Sequence, residues 1–248
     1  MTTRTIQQQF KRKESKYILD EKIFAQFKKE LSQYMIEDQF ANSTISNVYF
    51  DNEDFDMIQD ALAKRNGREK VRMRIYDAIP SQTSQAFLEI KKKLDDVGYK
   101  YRLVSTPTSI AHDVEYFSEK NNIMDTKVSS ELQHVVQRYG KLRPKMYIYY
   151  DRLSYRGKTD HHIRLTIDQN LVFRDSEVML LQKKFGFPLL PKQLMIMEIK
   201  VPNQLPNWLL NLLEKYQIEQ QSFSKYSTAY QLRQDMMKGV SLANRLIF

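Results

Sequence analysis

Charged and apolar residues alternate along several short segments of this 248-residue chain, and the charged partner is mostly Lys or Arg. Arg72 and Arg74 interleave with Val71, Met73 and Ile75. Glu89, Lys91 and Lys93 keep the same period, as do Lys100 and Arg102, and Glu198 and Lys200 stand among Met195, Met197, Ile199 and Val201. Successive side chains of a strand point to opposite faces, so a period of two gives each segment one charged and one apolar face. Taken singly, such a segment is a solvated surface strand. Joined antiparallel, several of them make a basic concave surface or the lining of a barrel, either of which suits a chain of phosphates.

The remaining pattern fills in an α+β chain. Phe10–Leu19 reads as a first strand with Arg12, Glu14 and Lys16 on one face. Asp20 caps a helix over Glu21–Glu37, whose apolar positions Ile23, Phe24, Phe27, Leu31, Tyr34 and Met35 keep helical spacing. Ile45–Asp51 is a second strand, and Phe55–Lys64 a short amphipathic helix closed by Asn66-Gly67. Strands follow at Lys70–Asp77, Ala86–Lys93 and, after a turn at Asp95–Gly98, Tyr99–Val104. Ser109–Tyr139 turns helical in two pieces broken near Asn121-Asn122. Strands return at Lys145–Tyr155, His162–Phe173 and Gln193–Val201, and helices at Asn207–Tyr216 and Thr228–Lys238 finish the chain. With no internal repeat, linker or low-complexity tract, residues 1–248 read as one domain.

Composition narrows the partners. The hydrophobic share of 42% and aromatic share of 12% supply a core and argue against disorder. A net charge of +9 points to an anionic partner: nucleic acid, a phosphorylated metabolite or a membrane surface. There is no Cys, which removes disulfides and thiolate metal sites. Met1–Phe10 lacks the apolar stretch of a signal peptide, and no run approaches the roughly 20 apolar residues of a bilayer span. The expectation is a cytoplasmic protein with no membrane segment of its own.

Arg72 and Arg74 have no acid between them, and like charges close together on a sheet repel. Such a cluster persists where something anionic completes it, and the planar fork of Arg suits phosphate oxygens. The acids on the same faces, Glu14, Glu89, Asp168 and Glu198, read either as local charge balance or as ligands for Mg²⁺ or Mn²⁺, hard cations that take carboxylate and phosphate oxygen together. No P-loop, Cys nucleophile or G-x-S-x-G elbow occurs. His161-His162 reads as a solvated pair. Tyr99, Tyr101, Tyr147 and Tyr149 read as outward partners packed under helices.

Several blocks, in order, carry a resemblance: Arg12 to Tyr17 (RKESKY), Val48 to Asp51 (VYFD), Gly67 to Tyr76 (GREKVRMRIY) and Leu88 to Lys91 (LEIK). Tyr150-Asp151-Arg152, Ile163 to Asp168 (IRLTID), Met197 to Lys200 (MEIK) and Phe223 to Tyr226 (FSKY) complete the set. Together they make the chain resemble the polyphosphate polymerase domain of the vacuolar transporter chaperone (VTC) family, among the CYTH-like triphosphate tunnel metalloenzymes. The resemblance implies a closed antiparallel β-barrel with a basic interior and helices packed outside. It implies an ATP-dependent transferase that adds the γ-phosphate to a growing polyphosphate chain and depends on Mn²⁺ or Mg²⁺.

By residue-level match, the implied phosphate-binding cations are Lys16, Arg72, Arg74, Lys91, Lys100, Arg152, Arg164 and Lys225. Tyr150 and Ser224 match positions that touch phosphate, and Glu198 matches the metal-holding glutamate. Lys200 and Arg102 fit the inward pattern. Arg12 stands where the wider superfamily's first strand often has an acid, which argues against a second metal and against plain triphosphatase action. Eukaryotic members carry a regulatory domain and membrane helices that this sequence lacks, so channelling of product would need a separate membrane protein. Two other readings remain: a tunnel triphosphatase hydrolysing inorganic triphosphate or nucleotide, and a non-catalytic module that holds polyphosphate. Nucleic acid is not expected, because no named motif interleaves exposed aromatics with the cations.

Overall fold

The alternating segments become strands of one antiparallel sheet. The computed structural model describes residues 13–117, 126–179 and 184–240; Phe10, Arg12 and the break expected at Asn121-Asn122 lie outside the described residues. Among the described residues nine strands form: β1 (Lys13–Asp20), β2 (Met35–Asp51), β3 (Arg68–Ile75), β4 (Ala86–Leu94), β5 (Val97–Ser105), β6 (Arg143–Gly157), β7 (Arg164–Arg174), β8 (Phe187–Pro188) and β9 (Leu194–Val201). They run in the order β1-β9-β7-β6-β2-β3-β4-β5, with the two-residue β8 pairing β7. The helices among the same residues are α1 (Glu21–Leu31), α2 (Asp56–Leu62), α3 (Pro107–Glu115), α4 (Thr126–Tyr139), α5 (Asn207–Lys215) and α6 (Lys225–Met237).

Register carries the two-residue period from strand to strand. Arg72 faces Glu89, which faces Arg102; Lys16 faces Glu198, which faces Thr166; and Arg152 faces Asp168. One face of the sheet therefore collects the charges and the other the hydrophobes. On the outer face Val71, Met73, Ile90, Leu88 and Leu103 meet Ile110 and Val114 of α3 and Val128, Leu132 and Val135 of α4. Farther round, Tyr17, Leu165, Ile167, Met197 and Ile199 meet Phe24, Phe27 and Leu31 of α1 and Leu209, Leu212 and Leu213 of α5. Phe27 is wholly buried; truncating such a side chain to Ala costs roughly 3–5 kcal/mol. Tyr101 and Tyr147 are buried in the first of these cores, and Tyr99 and Tyr149 pack against it, as the alternation requires.

The inner face is not charged throughout. At one end Ile45, Met146, Ile148, Tyr150, Phe173 and Ile196 pack with Ile58 of α2 and with Tyr226, Ala229 and Leu232 of α6. These two helices stopper the interior there, and the polar part of the inner face is what remains. Asp51 ties the stopper together. Its carboxylate accepts from the backbone N–H groups of Met57 and Ile58 at the start of α2 and from the Tyr226 hydroxyl of α6.

Four expectations are corrected. The ladder does not close into a barrel: among the described residues no pairing joins β1 to β5. The free edge of β1 is taken instead by the segment before α6, with Tyr17 bridged to Gln220 and the Gln221 N–H donating to the Lys16 carbonyl at 2.8 Å. Helix α1 stops at Leu31 rather than Glu37, because Met35 already pairs with Gly157 on β6. The second strand begins at Met35 rather than Ile45; its first half is polar but is held by the long β6 ladder, with a register shift between Glu37 and Asn42. The turn expected at Asp95–Gly98 contracts to Asp95-Asp96, both at positive φ (48° and 60°), the conformation that a two-residue hairpin demands and that Asp tolerates. Among the described residues no helix is long and apolar enough to cross a membrane.

Candidate functional site

Beyond the apolar stopper the inner face surrounds a cavity of about 1480 Å³. Arg74, Lys91, Lys100, Arg102, Arg152, Arg164 and Lys200 line it, together with Glu14 and Glu198. Lys16, Lys70, Arg72, Tyr150, Ser224 and Lys225 adjoin this lining: Lys16 and Lys70 bond the segment that leads into α6, and Lys225 reaches Glu198. The strands place their residues by parity, and α6 adds Ser224, its cap, and Lys225, its first residue. The site residues expected from sequence are thus brought together, with Arg164 exposed and Tyr150 and Lys225 buried.

Two acid-centred clusters organise the cations. In the first, Glu89 is fully buried. One of its oxygens accepts from Arg72 Nε and Nη2 at 2.8 and 2.6 Å, and the other from Arg102 Nε at 2.9 Å and Lys100 Nζ at 2.8 Å. Burial works against the carboxylate, but Arg72, Arg74, Lys100 and Arg102 together hold it well below the usual glutamate range. The acid that appeared to be missing between Arg72 and Arg74 is supplied across the ladder. Among the described residues Arg74 makes no carboxylate contact. It donates to Asn47 Oδ1 at 2.9 Å, to the Tyr150 hydroxyl at 3.2 Å and to the Tyr76 hydroxyl at 3.3 Å.

In the second cluster, buried Asp168 accepts from Arg152 at 2.6 and 2.7 Å and pairs with Lys225 at 2.5 Å. Lys225 also donates to Glu198 at 3.3 Å. Burial disfavours the Lys225 ammonium, yet Asp168 and Glu198 raise its pKa above the lysine range. The Tyr150 ring forms a wall here, with Lys225 Nζ 4.8 Å and the Arg152 guanidinium 5.4 Å from its centre. Lys16 donates to the Phe223 carbonyl and Lys70 to the Ser224 hydroxyl, both at 3.0 Å, so the segment leading into α6 is bound to β1 and to β3. The open side of the sheet is bridged through these side chains.

Several cations are held out of balance. The charge of Arg72 and the surrounding protein together drive the Lys91 pKa well below the lysine range, although its side chain is open to the cavity, and burial lowers that of Lys70. Both ammonium groups would be stabilised by an anion. Tyr76 is raised by burial but brought down to about 8 by the charge and hydrogen bond of Arg74 and the charge of Arg102. Lys70 shares the period of Arg72 and Arg74 and could have been read from it. Glu89, Asp168 and Tyr76 take their importance from partners on other strands, which the period does not reveal. His161 and His162 are exposed at the cavity rim, with His161 Nδ1 2.8 Å from the Gly157 carbonyl oxygen.

A divalent cation would need oxygen donors. Glu198 is held well below the usual carboxylate range, because Lys225, Lys200, Arg152 and Lys16 outweigh its burial. Lys200 Nζ lies 3.6 Å from Glu198 and 3.7 Å from Glu14, and Lys16 Nζ lies 3.9 and 3.5 Å from the same two carboxylates. Two ionised carboxylates therefore share two cations between them. That donor set fits Mg²⁺ or Mn²⁺, which bind through one or two carboxylates and complete their shell with water and phosphate oxygen. Among the described residues no group of three or more His, Asp or Glu side chains is placed to hold a metal ion.

The family model of the VTC domain matches residues 11–233. Among solved structures, the chain is similar to a putative adenylate cyclase from Bacillus halodurans (TM-score 0.52, 11% identity, covering 85% of this chain and 92% of that one). It is also similar to one from Vibrio parahaemolyticus (TM-score 0.50, 12% identity, covering 89% and 98%). At these identities the likeness is one of fold alone.

Proposed function

The chain belongs to the VTC domain family, and from that premise we propose that it is a metal-dependent phosphotransferase that moves the γ-phosphate of ATP onto a growing polyphosphate chain. The observation that carries this reading is one of charge. Seven Lys and Arg side chains (Arg74, Lys91, Lys100, Arg102, Arg152, Arg164 and Lys200) line one cavity with Glu14, Asp38, Asp77, Asp151 and Glu198. Lys16, Lys70, Arg72 and Lys225 adjoin them through buried Glu89, Asp168 and Glu198 and through the segment before α6. Cations outnumber acids along this face, which favours an occupant with several negative charges in a row.

In this reading Arg74, Lys91 and Lys100 bind the nucleotide phosphates, and Arg152, Arg164, Lys200 and Lys225 bind the acceptor chain. Tyr150 and Ser224 orient phosphate oxygens near α6. A divalent ion held by Glu198, with Glu14 beside it, would supply neutralising charge to phosphate oxygens. A terminal oxygen of the acceptor forms the new bond to the γ-phosphorus as the bond to the β–γ bridging oxygen breaks, and nucleoside diphosphate leaves with that electron pair. No protein nucleophile is needed, since positioning and charge stabilisation supply most of phosphoryl-transfer catalysis.

The deciding experiment incubates purified protein with ATP and Mn²⁺, resolves polyphosphate on a gel and measures free phosphate. Long chains are the expected product. Free phosphate without chains would replace this reading with a tunnel triphosphatase, and tight polyphosphate binding without turnover would replace it with a holding module.

A further inference from the structure

Several aromatic side chains line the polar cavity, and the most exposed of them packs into none of the apolar cores. Phe40 borders the cavity, is 73% exposed and belongs to none of the three apolar cores. A specific irregularity of β2 puts it there. Glu37 pairs with Tyr155 and Asn42 with Leu153, so four residues of β2 stand opposite Ser154 alone. Bulges of this kind re-aim side chains and cluster beside functional sites.

Tyr76, at the end of β3, borders the same cavity with 38% exposure. Its ring is fixed from three directions. Arg74 and Arg102 donate to its hydroxyl at 3.3 and 3.4 Å, and the edge of Phe87 meets it at 5.5 Å between centres. Arg102 in turn covers the Phe87 ring at 4.5 Å. The lining therefore combines an immobilised Tyr ring and an exposed Phe ring with the arginines of the cationic interior.

We propose that Phe40, on the same cavity as the fixed Tyr76 ring, is a base-binding lip, which takes the planar ring of a nucleoside triphosphate while its phosphates lie among the cations. The inference rests on the phosphate-binding reading of the cavity and adds which triphosphates it prefers. A nucleotide has one flat apolar end and one polyanionic end, and the cavity offers a partner for each. Inorganic triphosphate has nothing to cover Phe40.

Isothermal titration of the full chain with ATP and with inorganic tripolyphosphate tests this, using wild type, Phe40→Ala and Phe40→Trp. Phe40 is exposed, so Phe40→Ala leaves the melting temperature unchanged. Its ATP affinity falls about tenfold, within the range that base–aromatic stacking contributes, while tripolyphosphate binds as before, and Phe40→Trp restores ATP binding. Unchanged ATP affinity in Phe40→Ala, or an equal loss for both ligands, overturns the lip and leaves the phosphate cavity standing. A wild-type protein that binds neither ligand overturns the cavity reading and the lip with it.

Discussion

Arg72 on β3 lies directly opposite Glu89 on β4 and grips a single carboxylate oxygen with two nitrogens, at 2.8 and 2.6 Å. Arg102 and Lys100 hold the other oxygen. The cavity is thus not a bare field of positive charge on its own. Its acids occupy cations that a phosphate chain can also engage, so the charges stay in place when no ligand is present.

Glu89→Gln should expose that arrangement. Three cations lose their shared counter-charge in a buried setting, and breaking such a pair costs about 3–5 kcal/mol. The variant should therefore melt well below wild type. Added tripolyphosphate should recover a larger part of its melting temperature than it adds to wild type, because phosphate replaces the missing carboxylate. Equal ligand-induced shifts in the two proteins would show that Glu89 and phosphate do not share these cations.

Arg74→Ala and Arg72→Ala should stop turnover without unfolding the chain. Removing Arg74 strands Asn47 Oδ1 and the Tyr150 hydroxyl, a cost of about 1–3 kcal/mol, whereas removing Arg72 leaves Glu89 still paired to Arg102 and Lys100. Loss of one preorganised donor to a charged transition state typically lowers kcat about 10²–10³-fold. Circular dichroism and steady-state rates check both halves. Wild-type rates in a folded variant would remove that arginine from the mechanism.

How far the sequence led can be read from particular residues. Strands β3, β4, β5 and β9 were legible because their period of two is unbroken, and the inward cations followed from the same parity. The first half of β2 was not legible: Ile36–Thr44 is polar without clear alternation, and only the β6 ladder makes it a strand. Tyr34 and Met35 continued the helical spacing of α1, yet Tyr34 falls in the turn that ends it and Met35 pairs with Gly157 on β6. The open edge of the sheet was invisible for a different reason. Parity assigns a residue to a face but does not say that Gln220 and Gln221 occupy the edge of β1. Ser224 and Lys225 carry no local pattern and came only from the family resemblance.

Glu198→Gln should abolish the response to Mn²⁺. The carboxylate is ionised and pointed at by Lys225, Lys200, Arg152 and Lys16, so the neutral amide keeps the shape and removes a hard oxygen donor. Mn²⁺ titration calorimetry in the presence of tripolyphosphate provides a reading independent of turnover. An unaltered Mn²⁺ isotherm would move the metal away from Glu198.

Phosphate binding should weaken as pH rises through about 8, and Tyr76 should be the cause. Its hydroxyl accepts from Arg74 and Arg102; burial and the charge of Glu89 oppose its ionisation, and the two arginines favour it, leaving the pKa at about 8. Below that pH the phenol is neutral and both guanidinium groups are free to engage phosphate. Above it the phenolate is a competing anion between them. Linkage requires the reverse effect as well: bound phosphate pushes the Tyr76 pKa back up. The stability contribution has the opposite sense. The folded-state pKa lies below the ordinary tyrosine value near 10, so ionisation stabilises the fold increasingly from about pH 8 and fully above pH 10, and that contribution is lost as pH falls through 8. Tyr76→Phe should thus flatten the fall in tripolyphosphate affinity between pH 7 and 9 and lose stability relative to wild type only on the alkaline side. An affinity profile in Tyr76→Phe that still falls through pH 8 would assign the titration to another group.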